Sequence, residues 1–189
     1  MKNQISYITT NDYKFKLAAA AFAGLKRHDL KLVQGMVETP EIQAKTVEEV
    51  AAFSAIWAAK QLGHPVITSD VGFMINCLNG FPGPFIKFIN NWLRPNDIMS
   101  IMRDKQDRTA SFVGAFAYAT PKGKVKVFTA ITTGKIIDTQ NIADAGWTID
   151  AVFIPDGQSM TLAEMNESDK NDVWSSNIWQ EVVEYVDNV

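Results

Sequence analysis

Residues Val66–Lys87 read VITSDVGFMINCLNGFPGPFIK, and the reading of this stretch decides the fold. It opens as a short apolar strand, Val66 to Thr68, which delivers an acid, Asp70, at the strand's end. It then enters Leu78-Asn79-Gly80-Phe81-Pro82-Gly83-Pro84, dense in turn formers. A strand end that feeds a Gly/Pro-rich loop is where α/β proteins place their chemistry, because the strand is rigid and the loop can reach a ligand. An acid there can hold a metal or take a proton from water. It can equally be a solvated turn aspartate.

Upstream, the same rhythm repeats. Gln4 to Ile8 reads as a first strand and Thr9-Thr10-Asn11 as a stop and helix cap. Phe15, Ala18, Phe22 and Leu25 recur at helical spacing, which predicts a helix from Asp12 to about Lys26. Lys14 lies in its first turn, where the dipole disfavours a cation unless an anion is bound to the free N–H groups. A surface lysine that tolerates the mismatch is the plain alternative. Leu30 to Val37 predicts a second strand. Thr46-Val47-Glu48-Glu49 fits a capping box for a second helix that stops at Gly63. Strand, helix, strand, helix, strand argues an α/β class with some parallel pairing.

Downstream, Asn90 to Arg103 reads as helix in pieces around Arg94-Pro95-Asn96. Thr109 to Ala119 reads as a strand, Pro121 to Lys124 as a turn, and Val125, Val127, Thr129 and Ile131 as the inward set of a hairpin partner. This antiparallel pair makes the sheet mixed. Val152 to Ile154 is a short strand, Thr161 to Met165 a helical turn, and Asp169 to Val186 a last helix.

The chain has 189 residues, 47% hydrophobic and 21% charged, which suits one globular domain over residues 1–189 with room for two lobes around a cleft. A net charge of −3 offers no basic field for nucleic acid. The lone Cys77 fits a reducing compartment and reads as a small buried hydrophobe. His28 and His64 fall in polar connectors, and no Cys/His spacing suits zinc. The start, MKNQISYITTN, lacks the apolar core of a signal peptide, and no apolar run approaches the roughly 20 residues of a membrane span. A cytoplasmic protein with no membrane partner is the expectation.

Four segments, in order, resemble the inosine triphosphate pyrophosphatase family, which hydrolyses non-standard purine nucleoside triphosphates. Thr9-Thr10-Asn11-Asp12-Tyr13-Lys14 is similar to its T-G-N-x-x-K phosphate loop. Glu38-Thr39-Pro40-Glu41-Ile42-Gln43 is similar to its L-P-E-x-Q element. Ser69-Asp70 through Lys87 is the nearest match. The last comprises Asp150-Ala151-Val152-Phe153, Thr161 to Met165, and Lys170-Asn171.

The resemblance implies a mixed, elongated central sheet flanked by helices, two lobes around a nucleotide cleft, and a homodimer. It implies Mg²⁺-dependent cleavage of a nucleoside triphosphate to the monophosphate and pyrophosphate. Glu41 and Asp70 would hold the metal, and Asp70 would also orient or deprotonate the attacking water. Thr9, Thr10, Asn11 and Lys14 would hold phosphate oxygens. Trp147 would stack on the base, unless it is a core tryptophan. Asp150 and Lys170 would contact the nucleotide, unless they are a turn aspartate and a solvent-facing lysine. Ser175 and Ser176 stand at the base-reading positions.

The departures fall in functional places. Ser69 replaces a second acid, Ser54 a lysine, Val71 a hydroxyl residue and Thr10 a glycine. The K-N-x-x-S-H-R run reads Lys170-Asn171-Asp172-Val173-Trp174-Ser175-Ser176, so strong donors to the purine's keto edge are gone. Base discrimination should weaken with them. Two readings follow: a pyrophosphatase with altered base choice, or a catalytically impaired homologue that binds a nucleotide or a partner.

Overall fold

The computed structural model describes residues 4–26, 28–139, 142, 146–174 and 177–189. Strand β1 (Gln4–Ile8) leads to helix α1 (Asp12–Phe22) and strand β2 (Lys31–Gly35). Helix α2 (Val47–Leu62), strand β3 (Val66–Ile75), a 3₁₀ turn at Asn76–Leu78 and the two-residue strand β4 (Pro82–Gly83) follow. Then come α3 (Ile86–Trp92), α4 (Pro95–Ile101), β5 (Thr109–Ala119) and β6 (Val125–Ile136). The chain ends with α5 (Thr148–Val152), β7 (Phe153–Pro155), α6 (Glu167–Val173) and α7 (Ile178–Asp187). Among the described residues the strands form one mixed sheet in the order β2-β1-β3-β5-β6-β7, with β4 paired to β3. β1 runs parallel to both β2 and β3, while β3–β4 and β6–β7 are antiparallel. The mixed α/β class expected from the sequence is the one observed. No helix among the described residues is long and apolar enough to cross a membrane.

Local chemistry sets most helix ends. Asn11 caps α1, its Oδ1 accepting from the Lys14 N–H at 3.0 Å. Thr46 and Glu49 form a reciprocal capping box at α2. Gly63 ends α2 at φ +72°, where a side chain would be strained. Pro95 starts α4 at a position where a missing N–H costs nothing.

Four sequence expectations need correction. Helix α1 stops at Phe22, not near Lys26: the Gly24 and Leu25 N–H groups fold back on Ala21 and Phe22 carbonyls at 3.1 Å, tightening the end into a turn. Strand β3 does not stop before Asp70. It runs on to Ile75, because Phe73 and Ile75 continue the buried set, so Asp70 sits inside the strand. On β6 the inward face is the opposite one: Phe128, Gly134 and Ile136 are buried, while Ile131 is 63% exposed. The last helix is two helices, α6 and α7, with Asn177 as the N-cap of the second. Serine and asparagine side chains compete for backbone hydrogen bonds and make poor helix interiors.

The contacts divide the chain into two units. The first comprises Met1–Asp70, Gly114–Ala130 and Ser176–Val189. Its core gathers Ile5, Tyr7, Phe22, Ile67, Tyr118, Phe128 and the buried face of α7. Trp179 packs edge-on against Tyr7, Phe22 and Phe116, which makes it part of this packing. His64 Nε2 lies 2.8 Å from Ser6 Oγ and ties the start of β3 to β1. The second unit comprises Val71–Val113 and Ile131–Ser175. Its core is built on Phe73, Phe112, Phe153, Ile98, Met102 and Ile149. Cys77, expected to be buried, is only half-buried: it packs at the edge of this core, with Sγ 3.8 Å from Met102 Sδ.

Candidate functional site

The first unit holds Thr9, Thr10, Asn11, Lys14, Glu41 and Asp70. The turn between β1 and α1 is held from three directions. Thr9 Oγ1 accepts from the Asn11 N–H at 3.1 Å, the Thr9 N–H donates to the Gly35 carbonyl at 3.3 Å, and Gln34 Nε2 donates to the Thr9 carbonyl at 3.0 Å. Gln34 also donates to Asp12 Oδ1 at 3.2 Å. The N–H groups of Thr9 and Asn11 are thus spent inside the turn. Asn11 Oδ1 is spent on the helix cap, so the group of this side chain suited to an anion is the Nδ2 amide N–H. Thr10 is exposed at the tip of the turn.

Lys14 and Asp70 meet electrostatically in this unit. Counted over the whole residue Lys14 is exposed, while its ammonium end is surrounded by enough protein to lose hydration. The exposed atoms are those of the backbone and stem, and the charged end is the one that titrates. Lost hydration holds its pKa below the ordinary lysine value, and the Asp70 carboxylate partly opposes this. A second anion beside Lys14 would stabilise its charged form further.

Asp70 is half-buried in the middle of β3. Beside it, Ser69 shares a hydrogen bond with Tyr7, oxygen to oxygen 2.8 Å. Burial pushes the Tyr7 phenol up, and the Ser69 bond opposes that shift. Ser69 is therefore turned to the first unit's core chemistry. Glu41 lies exposed on the irregular segment between β2 and α2. Among the described residues no group of three or more His, Cys, Asp or Glu side chains gathers to hold a metal. Two hard carboxylate donors suit Mg²⁺, which keeps several waters and takes its other oxygens from substrate phosphates.

The second unit holds Trp147, Asp150 and Lys170. Trp147 is the N-cap of α5 and is 55% exposed, so the alternative of a core tryptophan fails. The α5 turn is pinned at several points. Thr148 Oγ1 donates to the Leu93 carbonyl at 2.6 Å, the Ile149 N–H to Asn90 Oδ1 at 3.0 Å, and the Ala163 N–H to the Asp150 carbonyl at 3.0 Å. Burial raises the Asp150 carboxyl above its ordinary value, and Lys170 on α6 opposes the rise. Lys170 is half-buried, with Nζ 3.9 Å from Glu167 Oε1. Glu167 is almost fully exposed, so that contact holds little energy. Ser175 and Ser176 lie outside the described residues.

Gln34 carries no flag in the sequence: it sits in an ordinary strand pattern, and only the fold brings it against the β1–α1 turn. Trp174, inside the run from Lys170 to Ser176, is given no role by the sequence; it ends α6 and stays exposed.

The model of the Ham1 family matches residues 5–176. A dITP/XTP pyrophosphatase of Thermococcus kodakarensis is 32% identical over 168 residues, covering 89% of this chain and 88% of that protein. One of Hyperthermus butylicus is 37% identical over 131 residues, covering 69% and 68%. Among solved structures, a HAM1 protein from Coxiella burnetii superposes with a TM-score of 0.78 at 20% identity, covering 99% of this chain and 100% of that one. A nucleoside-triphosphatase / dITP/XTP pyrophosphatase from Mycobacterium abscessus gives 0.76 at 23% identity, covering 90% and 92%. These two structural likenesses speak to the fold.

Proposed function

This chain belongs to the Ham1 family, and from that premise we propose that it is a nucleoside triphosphate pyrophosphatase acting on purine nucleotides. It adds water across the bond between the α- and β-phosphates and releases a nucleoside monophosphate and pyrophosphate. The observation that carries this reading is that Lys14, in the first turn of α1, has lost hydration and feels the charge of Asp70 on β3. A partly desolvated ammonium beside a carboxylate suits a phosphate chain next to a hydrolytic acid.

Asp70 orients the attacking water and accepts its proton. Asn11 Nδ2, the Lys14 ammonium and the exposed tip at Thr10 hold phosphate oxygens. Glu41 and Asp70 would hold Mg²⁺, which when bound neutralises charge on the phosphates. Trp147 stacks on the base, and Asp150 with Lys170 contacts the nucleotide. A homodimer and a cytoplasmic, reducing setting belong to the same proposal; light scattering of the purified protein checks the first.

A second reading, a binding module without turnover, has in its favour that Ser69 is bonded to Tyr7 and adds no acid beside Asp70. One experiment separates them. Purified protein is incubated with a panel of nucleoside triphosphates, with and without Mg²⁺, and pyrophosphate is measured. Release that needs the metal and is lost in a folded Asp70→Asn variant supports the enzyme. No pyrophosphate from any triphosphate rejects it.

A further inference from the structure

The second unit presents three exposed indoles: Trp92, at 72% exposure, lies against Phe88 on its own helix, while Trp147 at 55% and Trp174 at 43% stand on the α5 and α6 side. Trp174 is nonetheless fixed. Its ring meets Phe112 edge-on with centroids 5.0 Å apart, and Phe112 in turn packs on Phe73 and Phe153. A ring held by the core on one side and bare on the other is a preformed stacking surface, with little freedom to lose on binding.

Its neighbours say what would stack there. Trp174 closes α6, its backbone N–H donating to the Lys170 carbonyl at 3.0 Å, so Lys170 and Trp174 stand one turn apart on one face. The charge of Lys170 reaches the Asp150 carboxylate. Asp150 lies on the short α5 turn that Trp147 caps. Helices α5 and α6 of this unit thus supply an exposed indole each, with an acid and an amine that feel one another's charge. An aromatic ring edged with polar atoms suits that set: a flat face for a tryptophan, and donors and acceptors for the charged pair.

We propose that Trp174 is a second base-contacting residue which, with Trp147, makes stacking the main grip on the nucleobase. The chain then accepts purine nucleotides broadly, because every base has a π face whatever its hydrogen-bonding edge. This rests on the nucleotide-hydrolysing reading above and names the substrate range of that site.

The test uses the full chain with Trp174→Leu, which keeps apolar contact with Phe112, and Trp174→Phe, which keeps an aromatic ring. Should the leucine variant not fold, Trp174→Met is read in its place. KM and kcat are measured with ITP, GTP and ATP, and inhibition with tripolyphosphate, which has the phosphates and no base. Expected for Trp174→Leu is a KM raised about fivefold or more for all three nucleotides. The kcat stays within about twofold and tripolyphosphate inhibition is unchanged, while Trp174→Phe recovers most of the loss. The proposal is overturned if nucleotides and tripolyphosphate weaken together, if neither changes, or if a single base alone responds. If the wild-type chain hydrolyses nothing, calorimetric binding of the same ligands replaces KM. Selective loss of nucleotide affinity then upholds Trp174 while the hydrolase reading falls. A wild-type chain that binds no nucleotide overturns both.

Discussion

Gln34 holds the turn ahead of α1 from outside, and its replacement by leucine tests whether that turn is preorganised for phosphate. The substitution keeps the bulk of the side chain and removes both hydrogen bonds, 3.0 Å to the Thr9 carbonyl and 3.2 Å to Asp12 Oδ1. The first is a partly buried neutral bond worth about 1 kcal/mol net. The second is exposed, so water screens it and it adds less than about 1 kcal/mol. The turn keeps its own bonds, Thr9 Oγ1 to the Asn11 N–H and the Asn11 cap. The loss is therefore about 1–2 kcal/mol in holding the turn, which corresponds to about a 5- to 30-fold rise in KM if ligand binding must restore it. The kcat should move less than about twofold, because Asp70 sits on β3 and is positioned independently. Steady-state kinetics with a nucleoside triphosphate, beside urea unfolding, reads both quantities. Gln34→Glu gives a sharper version: it keeps the reach but sets a carboxylate against Asp12 and near the phosphates, so its KM should exceed that of Gln34→Leu. Stability lost with KM unchanged in both variants would refute the reasoning, since the turn would then hold its binding shape unaided.

Three further outcomes follow from the same structure. Lys14 binds its proton more weakly folded than unfolded, so stability rises with pH between its lowered folded value and the ordinary 10.5. At neutral pH the charged form carries the desolvation penalty in full, so Lys14→Met should raise the melting temperature while weakening nucleotide binding; a variant that melts lower speaks for the Asp70 attraction as the larger effect. Asp150 is the reverse case: its carboxyl binds a proton more tightly folded, so stability falls as pH climbs from the ordinary 3.8 through its raised value. Melting curves across that range should show Asp150→Asn gaining on the wild type as pH rises, and parallel curves would count against a buried carboxyl. Thr46→Ala removes one half of the α2 capping box and should cost about 1 kcal/mol of unfolding free energy with kinetics unaltered; chemical denaturation checks it, and an unchanged midpoint would show that Glu49 holds the helix start alone.

What was legible in the chain is what neighbours along it control. Thr46 with Glu49, Asn11 before Lys14 and Gly63 after Leu62 act within one helical turn, so their residue types announce the structure. The ordered motifs from Thr9 to Lys170 likewise pointed to a family and a fold class before any coordinate. The length of β3 was not legible, because Ser69-Asp70 looks like a strand's end until Phe73 and Ile75 find a core beyond it. A period of two on β6 says that side chains alternate without saying which set faces in. Phe128 packing on Tyr185, and the close approach of Phe153 and the Ile154 carbonyl to Gly134, decide that. The same division runs through the candidate site. Sequence alone named the residues proposed to carry the chemistry and marked where the helices α1 and α2 begin. Only the tertiary structure decided that Asp70 lies inside a strand within the field of Lys14, that Gln34 braces the turn between β1 and α1 and that Trp174 stays exposed. Burial and charge act between residues the chain keeps far apart, and no local pattern encodes them.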